Sequence, residues 1–313
     1  LEVFGVNDVL WTDVAPRDGL QNIADTISTE AKIRLVRGLL DAGVPRVEAT
    51  SFVSASWVPQ LADAPAVLAG LQHDLARLRV LIPNLRGLEL ALAHGVRNVL
   101  VTIAATDSFN RRNVNRTVNE SLDDFSHIVE LAGERACTVD VAVSVSFGCP
   151  FEGRVAPARV VELCADLVAR GAAEVGVADT IGVANPVDVT AMCALAAASV
   201  PIDRLSLHVH DTRGLGVANV IAAFDAGVRR FDGSVGGVGG CPFAPRSTGN
   251  VCTEDALQAL HALGAVTGID LGAMCVVAET LASDLRRDLP GKLYRAGIWS
   301  GEPQEAVAET SVG

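Results

Sequence analysis

Eight short apolar runs, each followed by a longer amphipathic segment, set the tightest limit on how this chain can fold. The runs lie near 8–13, 46–51, 78–82, 97–103, 138–146, 173–179, 204–210 and 230–235 and are rich in Val, Leu and Ile. Runs of that length and composition, bounded by polar turns, predict strands. Helical spacing of apolar residues fills 29–42, 59–72, 85–94, 118–136, 157–170, 187–198, 214–227 and 253–264. Ser28-Thr29-Glu30 begins the first of these and Gly43 ends it, while Pro157 and Pro186 stand where a first helical turn tolerates proline. Eight βα units in about 265 residues predict an α/β fold, the (β/α)8 TIM barrel. A doubly wound open sheet is the alternative with the same alternation. One more helix is expected over 271–288. The chain then divides into a barrel, 1–270, and a C-terminal helix and tail, 271–313, packed on it.

Composition narrows the function. A net charge of −12 argues against nucleic acid or an anionic membrane as partner, although a bound cation or an arginine can reverse the field locally. No apolar stretch is long enough to span a bilayer, and the first residues do not resemble a secretory signal. The seven cysteines, Cys137, Cys149, Cys164, Cys193, Cys241, Cys252 and Cys275, are odd in number and include no Cys-x-x-Cys pair. A disulfide framework or zinc knuckle is therefore not expected, and a reducing cytoplasm is.

In a barrel the chemistry gathers at the C-terminal ends of the strands. Polar residues crowd those ends: Asp13 and then Pro16-Arg17-Asp18-Gly19-Leu20-Gln21-Asn22, Glu48 with Thr50-Ser51, Ser144, Asp179-Thr180, and His208-Val209-His210-Asp211. His208 and His210, two apart on one strand, project from the same face, so one metal ion could take both imidazoles. With Asp18 and Asn250 they make a nitrogen and oxygen set without thiolate. Such a set suits an octahedral divalent cation, Mg²⁺ or Mn²⁺, better than zinc. Arg17, beside a ligand carboxylate, could face a developing oxyanion, and a salt bridge to Glu48 or Asp179 is its other expected role. Gly236-Gly237-Val238-Gly239-Gly240 lacks the Lys-Ser/Thr that would follow in a nucleotide-phosphate loop, so no nucleotide cofactor is expected.

Taken in order, the blocks Asp13-Val14-Ala15-Pro16-Arg17-Asp18-Gly19-Leu20-Gln21-Asn22, Glu48-Ala49-Thr50-Ser51-Phe52-Val53-Ser54 and Gly148-Cys149-Pro150-Phe151-Glu152-Gly153 resemble the hydroxymethylglutaryl-CoA lyases of the DRE-TIM metallolyase superfamily. Asp179-Thr180-Ile181-Gly182, His208-Val209-His210-Asp211-Thr212-Arg213-Gly214, Gly239-Gly240-Cys241-Pro242-Phe243-Ala244 and Thr248-Gly249-Asn250 continue the likeness. The resemblance implies a divalent metal on Asp18, His208, His210 and Asn250, an enolate facing Arg17, and a reactive Cys241 on a closing glycine-rich loop. It implies retro-Claisen cleavage of an acyl-CoA, with Asp18 or His208 as base and Cys241 or water returning a proton to carbon. Arg17, Gln21, Asn22, Glu48, Ser144 and Asp179 would meet the substrate, Glu48 and Asp179 also orienting Arg17 and the metal ligands. Members are commonly homodimers or larger, with the 271–289 segment as the expected interface.

The chain also departs from that family. Its members usually carry Arg-Gly-Tyr-Val-Ser on the fifth strand, where this sequence has Asp140-Val141-Ala142-Val143-Ser144. Pro245-Arg246-Ser247 replaces a small Gly-Ala pair, and Ile23-Ala24-Asp25 replaces a segment that often includes Lys near the CoA entrance. An unpaired Asp140 beside the acyl group would repel an anionic substrate, so a related 3-hydroxyacyl thioester is expected to be cleaved better than hydroxymethylglutaryl-CoA. Sibling activities, a Claisen-condensing synthase or a 4-hydroxy-2-oxo acid aldolase, are disfavoured by Leu20, where synthases have Glu, and by the Cys241 loop. A metal-binding scaffold without turnover would leave Arg17 and Cys241 idle.

Overall fold

Eight parallel strands form in the order the pattern predicts: β1 (Leu10–Asp13), β2 (Arg46–Ser51), β3 (Leu78–Leu81), β4 (Asn98–Ala104), β5 (Thr138–Ser144), β6 (Glu174–Asp179), β7 (Leu205–Val209) and β8 (Arg230–Gly233). The computed structural model describes Gly5 and residues 7–240 and 249–299. Each strand pairs with the next, and β8 pairs with β1 through Leu10↔Arg230 and Trp11↔Phe231. The sheet is therefore a closed barrel, and the open-sheet alternative is excluded.

Strand periodicity divides the side chains between two environments. Val47, Val80, Val99, Val101, Ile103, Val139, Val141, Val143, Val175, Val177, Leu205 and Leu207 are buried in the apolar core shared with the helices. The alternate positions, including Arg46, Glu48, Arg79, Asp140, Glu174, His208 and Asp232, are joined across the barrel interior by ion pairs. Ordinary TIM barrels fill that space with branched aliphatic side chains. Here charge fills much of it.

Outside the barrel run the helices Thr29–Asp41, Ala64–Gly70, Leu85–Ala93, Val118–Glu134, Pro157–Ala169, Pro186–Ala196, Gly216–Asp225 and Thr253–Ala262. Ser28 caps the first, its hydroxyl accepting from the Ala31 amide at 3.2 Å, and Thr117 with Glu120 forms a capping box on the fourth. Helix Leu271–Leu285 is capped by Asp270 and lies on the first barrel helix, where Val277 meets Gly38 and Arg34 pairs with Asp284 at 2.8 Å. Two further elements lie beyond strand ends. They are a helix, Asp107–Val114, after β4 and a two-stranded hairpin, Gly148–Cys149 with Gly153–Arg154, after β5.

Candidate active site

The histidine pair is fixed by β7 and by a segment returning from the next βα loop. Asp211 donates to the Gly249 carbonyl at 2.9 Å and Val251 to the Val209 carbonyl at 3.0 Å, so Asn250 lies against His210. Gly249 adopts a φ of +101°, and a side chain there would come within 2.6 Å of the Gly239 backbone. Only glycine allows those two chain segments to cross so closely beside the site.

Arg17 and Asp18 come from a tight turn directly after β1. Both the Asp18 and Gly19 amides donate to the Val14 carbonyl, and Leu20 donates to Ala15, which widens the turn to five-residue closures. Such wide helical turns recur at functional sites. Asp13 steadies this one from below, accepting from the Ala15 amide at 2.9 Å and from the Thr253 hydroxyl at 2.7 Å. Asp18 in turn accepts from Arg17 at 2.7 Å, Gln21 at 2.8 Å and Asn250 at 2.9 Å.

Asp18, His208 and His210 offer ligand atoms that all lie within 4.8 Å of one another. The protonation of Asp18 and His210 suits a cation. Burial drives His210 down to about 4, with His208 adding to the effect, so its imidazole is neutral and its lone pair free. Burial opposes ionisation of Asp18, but Arg17 and the two histidines outweigh it and hold the carboxyl below its usual range. Burial would also lower His208, yet the carboxylates of Asp232 and Asp18 raise it.

A cavity of about 420 Å³ opens above these groups at the C-terminal mouth of the barrel. Arg17, Gln21, Asn22, Ala142 and Ser144 share its wall with the histidines, and Trp57, Phe109 and Arg112 line it as well. Asn22 also donates to the Gly240 carbonyl at 2.9 Å, tying the β1 turn to the start of the glycine-rich loop.

With that geometry in view, comparison with known proteins is decisive. The HMGL-like family profile matches residues 8–281. The chain belongs to the HMGL-like family. It is 43% identical over 300 residues to the (R)-citramalyl-CoA lyase of Chloroflexus aurantiacus, covering 92% of this chain and 95% of that one. It is 41% identical over 274 residues to the hydroxymethylglutaryl-CoA lyase of Pseudomonas mevalonii, covering 87% and 91%. An HMG-CoA lyase from Acinetobacter baumannii, solved in complex with coenzyme A and 3-methylmalate, superposes with a TM-score of 0.91 at 36% identity, covering 97% of this chain and 99% of that one. As a member of this family the protein is a carbon–carbon lyase.

The family implies a divalent cation, and the residues here fit one. His210 Nδ1 and Asn250 Oδ1 are both buried without a partner. Leaving two such atoms unsatisfied costs about 1–3 kcal/mol each, and a nitrogen and an oxygen lone pair beside an ionised carboxylate make a mixed donor set that a divalent cation can take.

Three sequence expectations need correction. Glu48 does not line the cavity: it is fully buried, with Oε1 bound by Arg17 and Oε2 by Arg79, so it holds Arg17. Asp179 touches neither Arg17 nor the cavity, because its two oxygens accept from the Val183 and Ala184 amides at 2.9 Å and cap the loop after β6. Asp140 is not an unpaired acid beside the acyl group. It lies near the start of β5, bonded to Arg46 and Asn98 at 3.1 Å and away from the cavity wall. Burial and the neighbouring Glu174 still raise it, to about 6. Cys241 and Arg246 lie outside the described residues. Sequence reasoning missed Asp232, which lines the cavity, and Arg79, which reaches the site through Glu48 and Asp232; a lone charge inside an apolar strand was the available signal.

Proposed function

We propose that the protein cleaves a branched 3-hydroxyacyl-CoA ending in a carboxylate, releasing acetyl-CoA and a keto acid, with Mg²⁺ or Mn²⁺ held by Asp18, His208, His210 and Asn250. The observation that carries this reading is the Asp18–His208–His210 cluster beside Arg17 on the cavity floor. A divalent cation bound there supplies Lewis acidity that acidifies the substrate's tertiary hydroxyl. The hydroxyl proton passes to a group of this same cluster, Asp18 or His208. The alkoxide collapses to a ketone, and the electron pair of the broken C–C bond passes into a thioester enolate facing Arg17. The guanidinium, fixed by Glu48 and Asp18, stabilises that charge as it forms. Protonation of the enolate carbon, by Cys241 in this reading, yields acetyl-CoA.

The acyl specificity follows from β5. Ala142 and Ser144 line the cavity without the phenol that members usually place there, and the Chloroflexus relative acts on citramalyl-CoA. We therefore rank the citramalyl thioester ahead of the hydroxymethylglutaryl one. Among the described residues no helix is long and apolar enough to cross a membrane, and six cysteines are free. A cytoplasmic setting and a homodimer or larger assembly belong to the same reading, the latter checked by light scattering. The test of function is acetyl-CoA release from a panel of branched 3-hydroxyacyl-CoA esters with Mg²⁺ or Mn²⁺, and Cys241→Ser as control. Release from the citramalyl ester is the expected outcome. Hydroxymethylglutaryl-CoA as clearly the fastest substrate refutes the specificity, and no release from any ester refutes the lyase reading.

A further inference from the structure

Arg79 is 1% exposed, in the middle of the barrel, and belongs to no part of the reaction as written above. It stands directly opposite Glu48 in the β2–β3 register, and Asp232 stands opposite His208 in the β7–β8 register. Its guanidinium joins those two pairs. Nε donates to Glu48 Oε2 at 2.9 Å, and Nη2 lies 2.8 Å from the same oxygen and 3.0 Å from Asp232 Oδ2. The other Glu48 oxygen holds Arg17, and Asp232 Oδ2 lies 3.7 Å from His208 Nδ1. One planar fork thus spaces two carboxylates, one aiming the oxyanion partner and the other facing His208 of the proposed cation site.

The second tier of the network does not do this. Arg46 binds Glu174 through two contacts of 2.9 Å, and Asp140 at 3.1 Å, near the strand starts. Arg79 meets that tier only at 3.7 and 3.8 Å. Arg79 is therefore oriented toward the site, and Arg46 serves the barrel floor. A lysine at 79 would keep the charge but not the fork, since an ammonium is a point donor without fixed bidentate geometry.

We propose that Arg79 is a positioning residue that sets Arg17 and His208 in register by holding Glu48 and Asp232 on one guanidinium. This rests on the lyase reading above. The test compares Arg79→Lys with Arg46→Lys in the full chain, measuring thermal stability, Mn²⁺ affinity by titration of metal-stripped protein, and kcat and KM separately. Loss of a group that orients metal ligands typically costs about 10–100-fold in affinity or activity. Arg79→Lys is expected to lower kcat, and to weaken Mn²⁺ binding, by that factor, with KM within about threefold. Such a split marks an interaction made in the transition state. Arg46→Lys is expected to lower the melting temperature comparably while leaving kcat and Mn²⁺ affinity within about threefold. Should Arg79→Lys not fold, Arg79→Gln with Asp140→Asn carries the comparison, against Asp140→Asn alone. That double variant removes one buried charge of each sign and leaves Glu48 and Asp232 intact. Parent-like kcat and Mn²⁺ affinity in a folded Arg79 variant, or equal losses from Arg79→Lys and Arg46→Lys, overturns the proposal. A parent enzyme releasing no acetyl-CoA defeats the lyase reading instead, and the Mn²⁺ titration then still decides the role of Arg79.

Discussion

Asp13 makes folding stability depend on pH in a direction opposite to that of a salt-bridged carboxylate. It is fully buried, and burial raises its pKa to about 7 against the pull of the Thr253 hydroxyl and the Ala15 amide. Between about pH 4 and pH 7 the native protein keeps a proton that the unfolded chain has shed, so stability falls as pH rises through that window. A shift of some three pH units at about 1.4 kcal/mol each gives a cost of roughly 4 kcal/mol above pH 8, and roughly 2 kcal/mol at pH 5. Asp13→Asn keeps an acceptor for the Ala15 amide and carries no charge. Its altered contact with Thr253 costs about 1 kcal/mol at every pH and cancels from the comparison. The variant should therefore gain about 2–3 kcal/mol on the parent between pH 5 and pH 8. At about 2 °C per kcal/mol for a chain of this size, that is a melting-temperature difference growing by roughly 5 °C. Paired calorimetric scans of parent and variant across that range measure it directly. A difference constant with pH, or one that shrinks toward pH 8, refutes a neutral buried Asp13.

Other expectations concern the site and the elements around it. His210→Ala should abolish metal-dependent turnover and weaken Mn²⁺ binding at least about 100-fold, with the far-ultraviolet dichroism unchanged; full activity would remove His210 from the ligand set. Ala142→Tyr, which restores the family's usual bulk to the cavity wall, should change the kcat/KM ratio of citramalyl-CoA to hydroxymethylglutaryl-CoA by at least about 10-fold, and an unchanged ratio counts against Ala142 as a specificity residue. Asn110→Ala should cost about 2–4 kcal/mol, because the fully buried amide accepts from Ala104 and donates to Arg116, Thr117 and Ser121. Denaturant titration tests this last value, and a loss under about 1 kcal/mol would show that water replaces those bonds.

The barrel was legible because its eight strands are short apolar runs at regular intervals, and each lies within a few residues of its expected position. Asp107–Val114 was not legible as a helix. Its sequence, Asp107-Ser108-Phe109-Asn110-Arg111-Arg112-Asn113-Val114, has too little apolar periodicity to announce one. What holds it is side-chain bonding to its surroundings: Asn110 ties it to the loop that follows, Asp107 accepts from the Val118 amide at 2.7 Å, and the Ser108 hydroxyl donates to Glu152 at 2.6 Å. The juxtaposition of His208 and His210 was legible from His208-Val209-His210-Asp211, since two-residue spacing on a strand fixes a shared face. Asp179 and Asp140 misled for one reason. Position near a strand shows that a carboxylate is in the barrel, and says nothing about which donors have already claimed its oxygens. Arg79 and Asp232 lie 153 residues apart in sequence, and only closure of the sheet makes them neighbours.

That closure also bears on why the barrel interior is ionic. Desolvating paired charges costs about as much as their attraction returns, and apolar replacements of similar shape are often equally stable or more so. Stability alone therefore gives little reason to keep Glu48, Arg79 and Asp232 where most barrels place aliphatic side chains. Geometry gives a stronger one. An aliphatic layer fixes volume but leaves the side chains above it free to choose rotamers. A guanidinium between two carboxylates fixes angles, and each carboxylate passes that angle to the next group, Arg17 on one side and His208 on the other.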